Sequence, residues 1–315
     1  MISLRYFYRR VASRTAILKM EAAAMLNLRQ NLTPWYPFGG PHRFSPIPMD
    51  QVSWDVEWTS YKPPGFTIPA ILAGDKEWAD EEFGEGFDPQ FNWEDAKVNR
   101  KSYTGMYKLD KDGYPLNPMG RTGLSGRGSL GRWGPNHAAD CVMTRWKLDD
   151  KKEVFISPDD NLPKLEFIAI VRLDTGEVAL PGGMVDQGED PVTAAKREFV
   201  EEVLGLEYAD LWRDSPLNED MTEVFSNEKI VDRCYVDDRR NTDNAWIETC
   251  AVNFHISSKT LQILHKMKFR SGSDAKSACW LDFNSKLKLY ASHSLILNKT
   301  VTLLYDEWKK ENPSK

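Results

Sequence analysis

Residues 181–202 read Pro181-Gly-Gly-Met-Val-Asp-Gln-Gly-Glu-Asp-Pro-Val-Thr-Ala-Ala-Lys-Arg-Glu-Phe-Val-Glu-Glu202, and they pass from a glycine turn into a helix. Asp190 followed by Pro191 is a good N-cap and first-turn pair, because the carboxylate accepts orphan amides and proline needs no donor there. Beyond it the apolar residues Val192, Ala195, Phe199, Val203 and Leu206 recur at three- and four-residue steps, which predicts one face packed on a sheet. At 100° per residue, Glu198, Glu201 and Glu202 fall within about a 100° arc beside that stripe. Three carboxylates on one patch repel one another unless cations neutralise them, and hard divalent ions such as Mg²⁺ take oxygen ligands readily. A metal site is the economical reading. Arg197 can pair with Glu201 four residues on. Gly182 and Gly183 allow tight backbone geometry, so the Gly183 carbonyl can join the coordination shell. Glu189, just ahead of the helix, can orient the glutamates or approach a second metal.

Working outward, β-type runs at 165–173 and 177–180 are joined by an Asp174-Thr-Gly176 turn. Further strands are expected at 229–236, 246–256 and 277–283, with helices at 259–269 and 292–310. This order predicts an α/β (α+β) domain over 131–315, a mixed sheet sandwiched by helices. Residues 49–130 read as a smaller, loop-rich N-terminal domain, in which the alternation of Trp54, Val56 and Trp58 with Asp55 and Glu57 suggests a half-buried strand. Five prolines and two adjacent glycines between Pro34 and Pro48 predict a linker, so that 21–48 reads as a short helix, at 21–32, and then that linker. The glycine-dense passage 120–137 reads as an ordered connector, or as turns that cradle phosphate beside Arg121, Arg127 and Arg132. It is no Walker A loop, since no Gly-Lys-Ser/Thr occurs.

At 315 residues the chain is long enough for two modest domains, and its 41% hydrophobic and 28% charged residues are those of a globular protein. No run approaches the roughly 18 apolar residues of a membrane span, so no membrane partner is expected. The net charge is −6, and Arg5, Arg9, Arg10, Arg14 and Lys19 lie in a stretch with no acid, which leaves the remainder more acidic still. An acidic body argues against a nucleic-acid partner; a small-molecule substrate and a monomer are expected. The Arg-rich, acid-free residues 1–20 have the composition of a mitochondrial transit peptide, with a disordered leader on a cytoplasmic protein as the alternative. Cys141, Cys234, Cys250 and Cys279 show no C-x-x-C spacing and read as reduced side chains.

Gly183, Glu189, Arg197, Glu198, apolar Phe199, Glu201 and Glu202 spell G-x5-E-x7-R-E-U-x-E-E, a combination expected by chance on the order of once in 10⁵ such chains. The segment is identified as a Nudix box. The box usually ends with a glycine two residues after the last glutamate. That position is Leu204 here and the glycine follows at 205, so a slightly longer helix with unmoved carboxylates is expected. From about Val52 to Tyr305 the chain resembles the mitochondrial-type ADP-ribose pyrophosphatases, and equally the Nudix-like C-terminal domain of the ADP-ribose-gated melastatin-type TRP channel. The resemblance is carried by the 120–137 passage, Thr144-Arg-Trp146, Leu180-Pro-Gly-Gly-Met-Val-Asp186, Asp237-Asp-Arg-Arg-Asn-Thr-Asp-Asn-Ala-Trp246 and Leu287-Lys-Leu-Tyr-Ala-Ser-His293.

That resemblance implies a Nudix fold and Mg²⁺-dependent hydrolysis of ADP-ribose to AMP and ribose 5-phosphate, with Mn²⁺ able to substitute. It implies catalytic roles for Glu198, Glu201, Glu202, Arg197 and Glu189, and metal held by Gly183, Glu198, Glu201 and Glu202. Asp238, Arg240, Thr144, Tyr290 and His293 are implied to bind the substrate. Arg240 offers donors to a diphosphate and Asp238 can accept from ribose hydroxyls. The family usually has proline before that arginine, where this chain has Arg239. The general base is a box glutamate or a loop carboxylate, with no choice between them. The alternative function is a non-catalytic ADP-ribose sensor of the channel type; the complete box favours the enzyme.

Overall fold

The computed structural model describes residues 29–313, apart from 75, 84–85, 95–97, 211–217, 258–259, 261–268 and 270–274. The expected leader at 1–20, most of the helix expected at 21–32 and most of the one expected at 259–269 lie outside the described residues. Residues 29–31 form a turn. The chain makes two compact units: one runs up to Asn136 and includes Tyr235–Ile247, and the other comprises His137–Cys234 and Glu248–Lys315.

The first unit has little regular structure. β1 (Gly65–Thr67) pairs in parallel with β2 (Ser125–Gly128), and α1 (Pro69–Leu72) is a single turn. The strand expected around Val56 is absent: a 3-10 turn, Met49–Gln51, leads into further turns. The reason is Arg121. Its guanidinium donates to the carbonyls of Gln51 and Ser53 at 2.6 Å and of Val56 at 2.8 Å, removing acceptors that a sheet ladder would need. Trp54, Tyr61 and Trp58 then gather around that cation, with ring centroids 4.8, 5.3 and 5.8 Å away. The alternation of aromatics and acids thus reflects a cation cage rather than a pleat. Residues 34–48, expected as a linker, are an ordered loop of this unit closed by a Trp35–His42 bridge, with Tyr36 and Arg43 buried.

Charge also organises the middle of this unit. Asp80 is buried and accepts from both terminal nitrogens of Arg100 at 2.7 Å, from Arg132 at 2.8 Å and from the Trp133 amide at 2.9 Å. Arg127, 1% exposed, donates to the Asp80 carbonyl and to Glu82. The three arginines of the glycine passage are therefore occupied by protein acceptors, which favours the ordered-connector reading. A smaller aromatic cluster joins Tyr107, Tyr235 and Trp246.

In the second unit, β3 (Gly134–Trp146), β4 (Leu165–Arg172), β5 (Val178–Ala179) and β6 (Gly182–Met184) lead into α2 (Pro191–Phe199). Then come α3 (Asn218–Val224), β7 (Glu228–Tyr235), β8 (Ala245–His255), β9 (Ala275–Asp282) and α4 (His293–Glu311). The sheet runs β5-β4-β3-β8-β7, with β6 added to β3 and β9 to β4. β4 pairs antiparallel with β3, β5 and β9. β4, β5, β7, β8, β9 and α4 match the expected runs to within a few residues, whereas β3, β6 and α3 are not among those expected; the α/β class holds. The core joins Val142, Leu165, Phe167, Ala169 and Ala251 of the sheet to Ile296, Leu297, Val301 and Leu304 of α4. Those four positions recur at helical spacing, so one face of α4 is driven onto the sheet by apolar burial.

Candidate active site

The sheet register brings the glycine turn to the box helix. β6 pairs with β3 so that Gly182 faces Asp140 and Gly183 faces Ala139. Asp190 caps α2 by accepting from the Val192 and Thr193 amides at 3.0 and 3.1 Å, with Pro191 in the first turn. The cap fixes where the helix starts, and hence which way Arg197 and Glu198 face.

Arg197 is the hub. Its Nε and one Nη donate to the two Glu189 oxygens at 3.0 Å each, and the other Nη donates to Glu198 at 2.8 Å and Glu201 at 3.3 Å. The expected Arg197–Glu201 pair is present, with Glu189 and Glu198 held more closely. Glu189 also accepts from the Asp186 amide at 3.0 Å, so it orients the arginine. Burial works to lower the Arg197 pKa, but Glu189 and Glu198 raise it overall. Burial pushes the Glu198 carboxyl up to about 7 against the pull of Arg197, and raises Glu201 as well. A Cβ at Gly183 would collide with the Glu198 carboxylate, so the glycine leaves the space that this side chain fills. Glu202, 3% exposed, turns toward the strand end and accepts from the Gly182 amide at 2.9 Å.

The late glycine has a structural answer. Val200–Leu204 is wound as a π turn, and the Gly205 amide returns to the Val200 carbonyl with Gly205 at φ 62°. The helix is widened where Glu201 and Glu202 sit, so the extra residue acts on the turn that carries them and not merely beyond it.

Among the described residues, no three His, Cys, Asp or Glu side chains are gathered as they would be around an ion. The chemistry of the donors nonetheless fits a hard divalent cation. One arginine faces Glu189, Glu198 and Glu201, with Asp186 at 3.8 Å, leaving an excess of carboxylate oxygen in a partly buried place.

The residues implied to bind substrate fall into two groups. In the second unit, Thr144 is fully buried; its hydroxyl accepts from Asn253 at 2.8 Å and bonds the His255 ring at 3.0 Å. His293 Nδ1 accepts from the Leu180 amide at 2.9 Å, which leaves the proton of a neutral ring on Nε2, 3.4 Å from Asp140. Tyr290 lies under the Arg172 guanidinium at 4.5 Å, its ring 5.8 Å from that of His293. In the first unit, Arg240 clasps Asp238 through Nε and Nη2, both at 2.8 Å, and its amide donates to the same carboxylate. Asp140 escapes the sequence pattern: it is buried and accepts from Thr249 at 2.8 Å. An acid inside the apolar run Ala138-Ala139-Asp140-Cys141-Val142 is the signal that could have singled it out. A cavity of about 690 Å³ in the first unit, lined by Trp54, Tyr61, Tyr114, Trp133 and Asp243 among others, includes none of the implied residues.

The chain matches the domain family described as NUDT9-like, N-terminal domain, over residues 47–134, and the NUDIX domain over 166–285. It is 44% identical over 278 residues to the mitochondrial ADP-ribose pyrophosphatase of Rattus norvegicus, covering 88% of this chain and 78% of that one. To the putative nudix hydrolase 6 of Caenorhabditis elegans it is 44% identical over 268 residues, covering 84% and 92%. It is also 39% identical over 285 residues to the transient receptor potential cation channel subfamily M member-like 2 of Nematostella vectensis, of which it spans 18%. Both domain matches occur in order, the box stands complete on its capped helix, and the likeness extends over most of two relatives: the chain belongs to the Nudix family.

Proposed function

We propose that the protein hydrolyses the phosphoanhydride of ADP-ribose to AMP and ribose 5-phosphate, with Mg²⁺ bound by Glu198, Glu201, Glu202 and the Gly183 carbonyl, Mn²⁺ being able to substitute. The observation that carries this is the excess of carboxylates, Glu189, Glu198 and Glu201, around the single Arg197 on a complete box helix. The substrate comes from likeness to the rat ADP-ribose pyrophosphatase. Nudix hydrolases in general use divalent cations. When bound, such a cation supplies charge neutralisation for a diphosphate and a more acidic water. The chain's own residues do the rest. Arg197 holds Glu198 and Glu201 in place, Glu202 ties the helix to the Gly182 amide, and Arg240, set by Asp238, presents donors to the diphosphate. Thr144 acts through the sheet, since its hydroxyl is already shared by Asn253 and His255. We assign the protein to mitochondria on the leader at 1–20 and the same relative, as a monomer acting on a small molecule rather than nucleic acid. No helix among the described residues is long and apolar enough to cross a membrane.

The test is incubation with ADP-ribose and Mg²⁺, followed by chromatography. AMP should appear, EDTA should abolish it, and Glu201→Gln or Glu202→Gln should lower kcat by roughly two or more orders of magnitude with the fold intact. The channel relative supports a second reading, a sensor that holds ADP-ribose without cleaving it. Calorimetric binding with no AMP formed would establish that one instead. Arg240→Ala should raise KM about tenfold or more at nearly constant kcat, the scale of a hydrogen bond to a charged group.

A further inference from the structure

The three consecutive peptide carbonyls of residues 239–241, in the loop that carries Asp238 and Arg240, are each held by a side chain from residues 34–48. Arg43 Nη2 donates to the Arg239 carbonyl at 2.7 Å and to the Asn241 carbonyl at 3.0 Å. Between them, the Tyr36 hydroxyl donates to the Arg240 carbonyl at 2.9 Å. The other end of the same arginine donates to the Thr122 carbonyl at 3.2 Å. Both side chains are nearly inaccessible, 2% for Tyr36 and 3% for Arg43, and the Arg43 guanidinium lies 5.1 Å from the Tyr36 ring centroid. The hydroxyl is aimed by the Ser129 amide, which donates to it at 2.7 Å. A Cβ at Gly40 would strike the Tyr36 ring, and one at Gly128 would strike its hydroxyl, so two glycines shape the slot.

A run of three carbonyls captured in this way leaves the loop backbone almost no freedom, because each buried acceptor would lose its partner if the chain shifted. Arg240 is carried on that backbone. Arg240 keeps 27% of its side chain exposed while Asp238, 1% exposed, fixes its Nε and Nη2. We infer that Tyr36 and Arg43 are positioning residues for substrate capture: they clamp residues 239–241 so that Arg240 meets the substrate diphosphate in one orientation. This rests on the role given to Arg240 above, and it gives the proline-rich stretch a part in specificity.

The experiment uses the full chain with Tyr36→Phe, which removes only the hydroxyl, and Arg43→Lys, which keeps the charge but cannot span three carbonyls. ADP-ribose affinity is measured by calorimetry in EDTA, so that no turnover is needed, and kcat and KM are measured separately with Mg²⁺. Tyr36→Phe should weaken affinity and raise KM about fivefold and Arg43→Lys about tenfold, with kcat within about twofold. In an Arg240→Ala background both substitutions should have little further effect, as expected for residues acting through that arginine. Thermal unfolding checks that each variant is folded; Tyr36→Phe, the milder change, decides the matter if Arg43→Lys is not. Unchanged affinity in folded Tyr36→Phe, or an equal loss with and without Arg240, overturns the inference while the loop reading stands. Normal binding by Arg240→Ala alone overturns both.

Discussion

In the second unit the buried centre is a layer of apolar side chains, with Phe167, Ala169 and Val142 of the sheet against Ile296, Val301 and Leu304 of α4. The first unit, besides its small aromatic cluster, buries charges: Asp80 between Arg100 and Arg132, Arg121 in its aromatic cage, Arg43 on its carbonyls. An apolar layer needs area, and area repeats along the chain with the period of the strand or helix that supplies it. A buried guanidinium needs acceptors at particular points, and these come from wherever the chain happens to pass. Arg121 finds the Gln51 carbonyl 70 residues back, with no local trace of the pairing. The two units therefore differ in how they fold and in how they should fail.

The largest effect should come from Asp80→Asn. Removing that carboxylate leaves Arg100 and Arg132 facing each other without their counter-charge, which should cost about 3–5 kcal/mol, comparable to Phe167→Ala in the other core. Urea unfolding followed by tryptophan fluorescence should show separate losses in the two variants. An unchanged midpoint for Asp80→Asn would mean the first unit is not held by its charges. Acid sharpens the same test. Burial alone would raise the Asp80 carboxyl, but Arg100, Arg132 and the Trp133 amide bring it below its ordinary value. Its stabilisation is therefore complete above about pH 4 and is lost as pH falls through the lowered folded value.

On acidification His255 makes an earlier and smaller contribution, in the second unit. Burial lowers the His255 pKa to about 4. Above the ordinary histidine value, about 6.5, the ring is neutral in both states. As pH falls from there toward 4 the unfolded chain takes up the proton and the folded one does not, so stability on the order of 2–3 kcal/mol is lost across that window. Glu198, raised to about 7, gains stability as it protonates over the same window. Unfolding midpoints are therefore read as a comparison: between pH 7 and pH 5 the wild type should lose more, or gain less, stability than His255→Gln. The smallest expected change is Asp190→Ala, about 1 kcal/mol for the loss of an N-cap. It should be felt in the second unit, as a lower melting temperature by calorimetry.

These differences explain what could be read in advance. The strands at Leu165–Arg172 and Ala245–His255, and the helix at His293–Glu311, follow from apolar periodicity and lie close to where the pattern predicts them. So do the Asp190 cap and the Arg197–Glu201 pair, which depend only on neighbours within one helical turn. The Trp54–Trp58 alternation misled, because a cation at Arg121 mimics the pattern of a pleat. Tyr36, Arg43 and Asp140 went unseen for a related reason. Their partners lie far away in sequence, and a tyrosine or arginine in a proline-rich stretch looks the same whether or not a distant loop needs its donors.

The π turn at Val200–Leu204 bears on how such a box tolerates change over evolutionary time. A residue gained between the last glutamate and the closing glycine would ordinarily rotate everything beyond it by one step. Here the gain is taken up as a wider pitch, and Gly205 still ends the helix in the left-handed conformation. The wider turn thus places one more residue ahead of the terminator without changing how the helix ends.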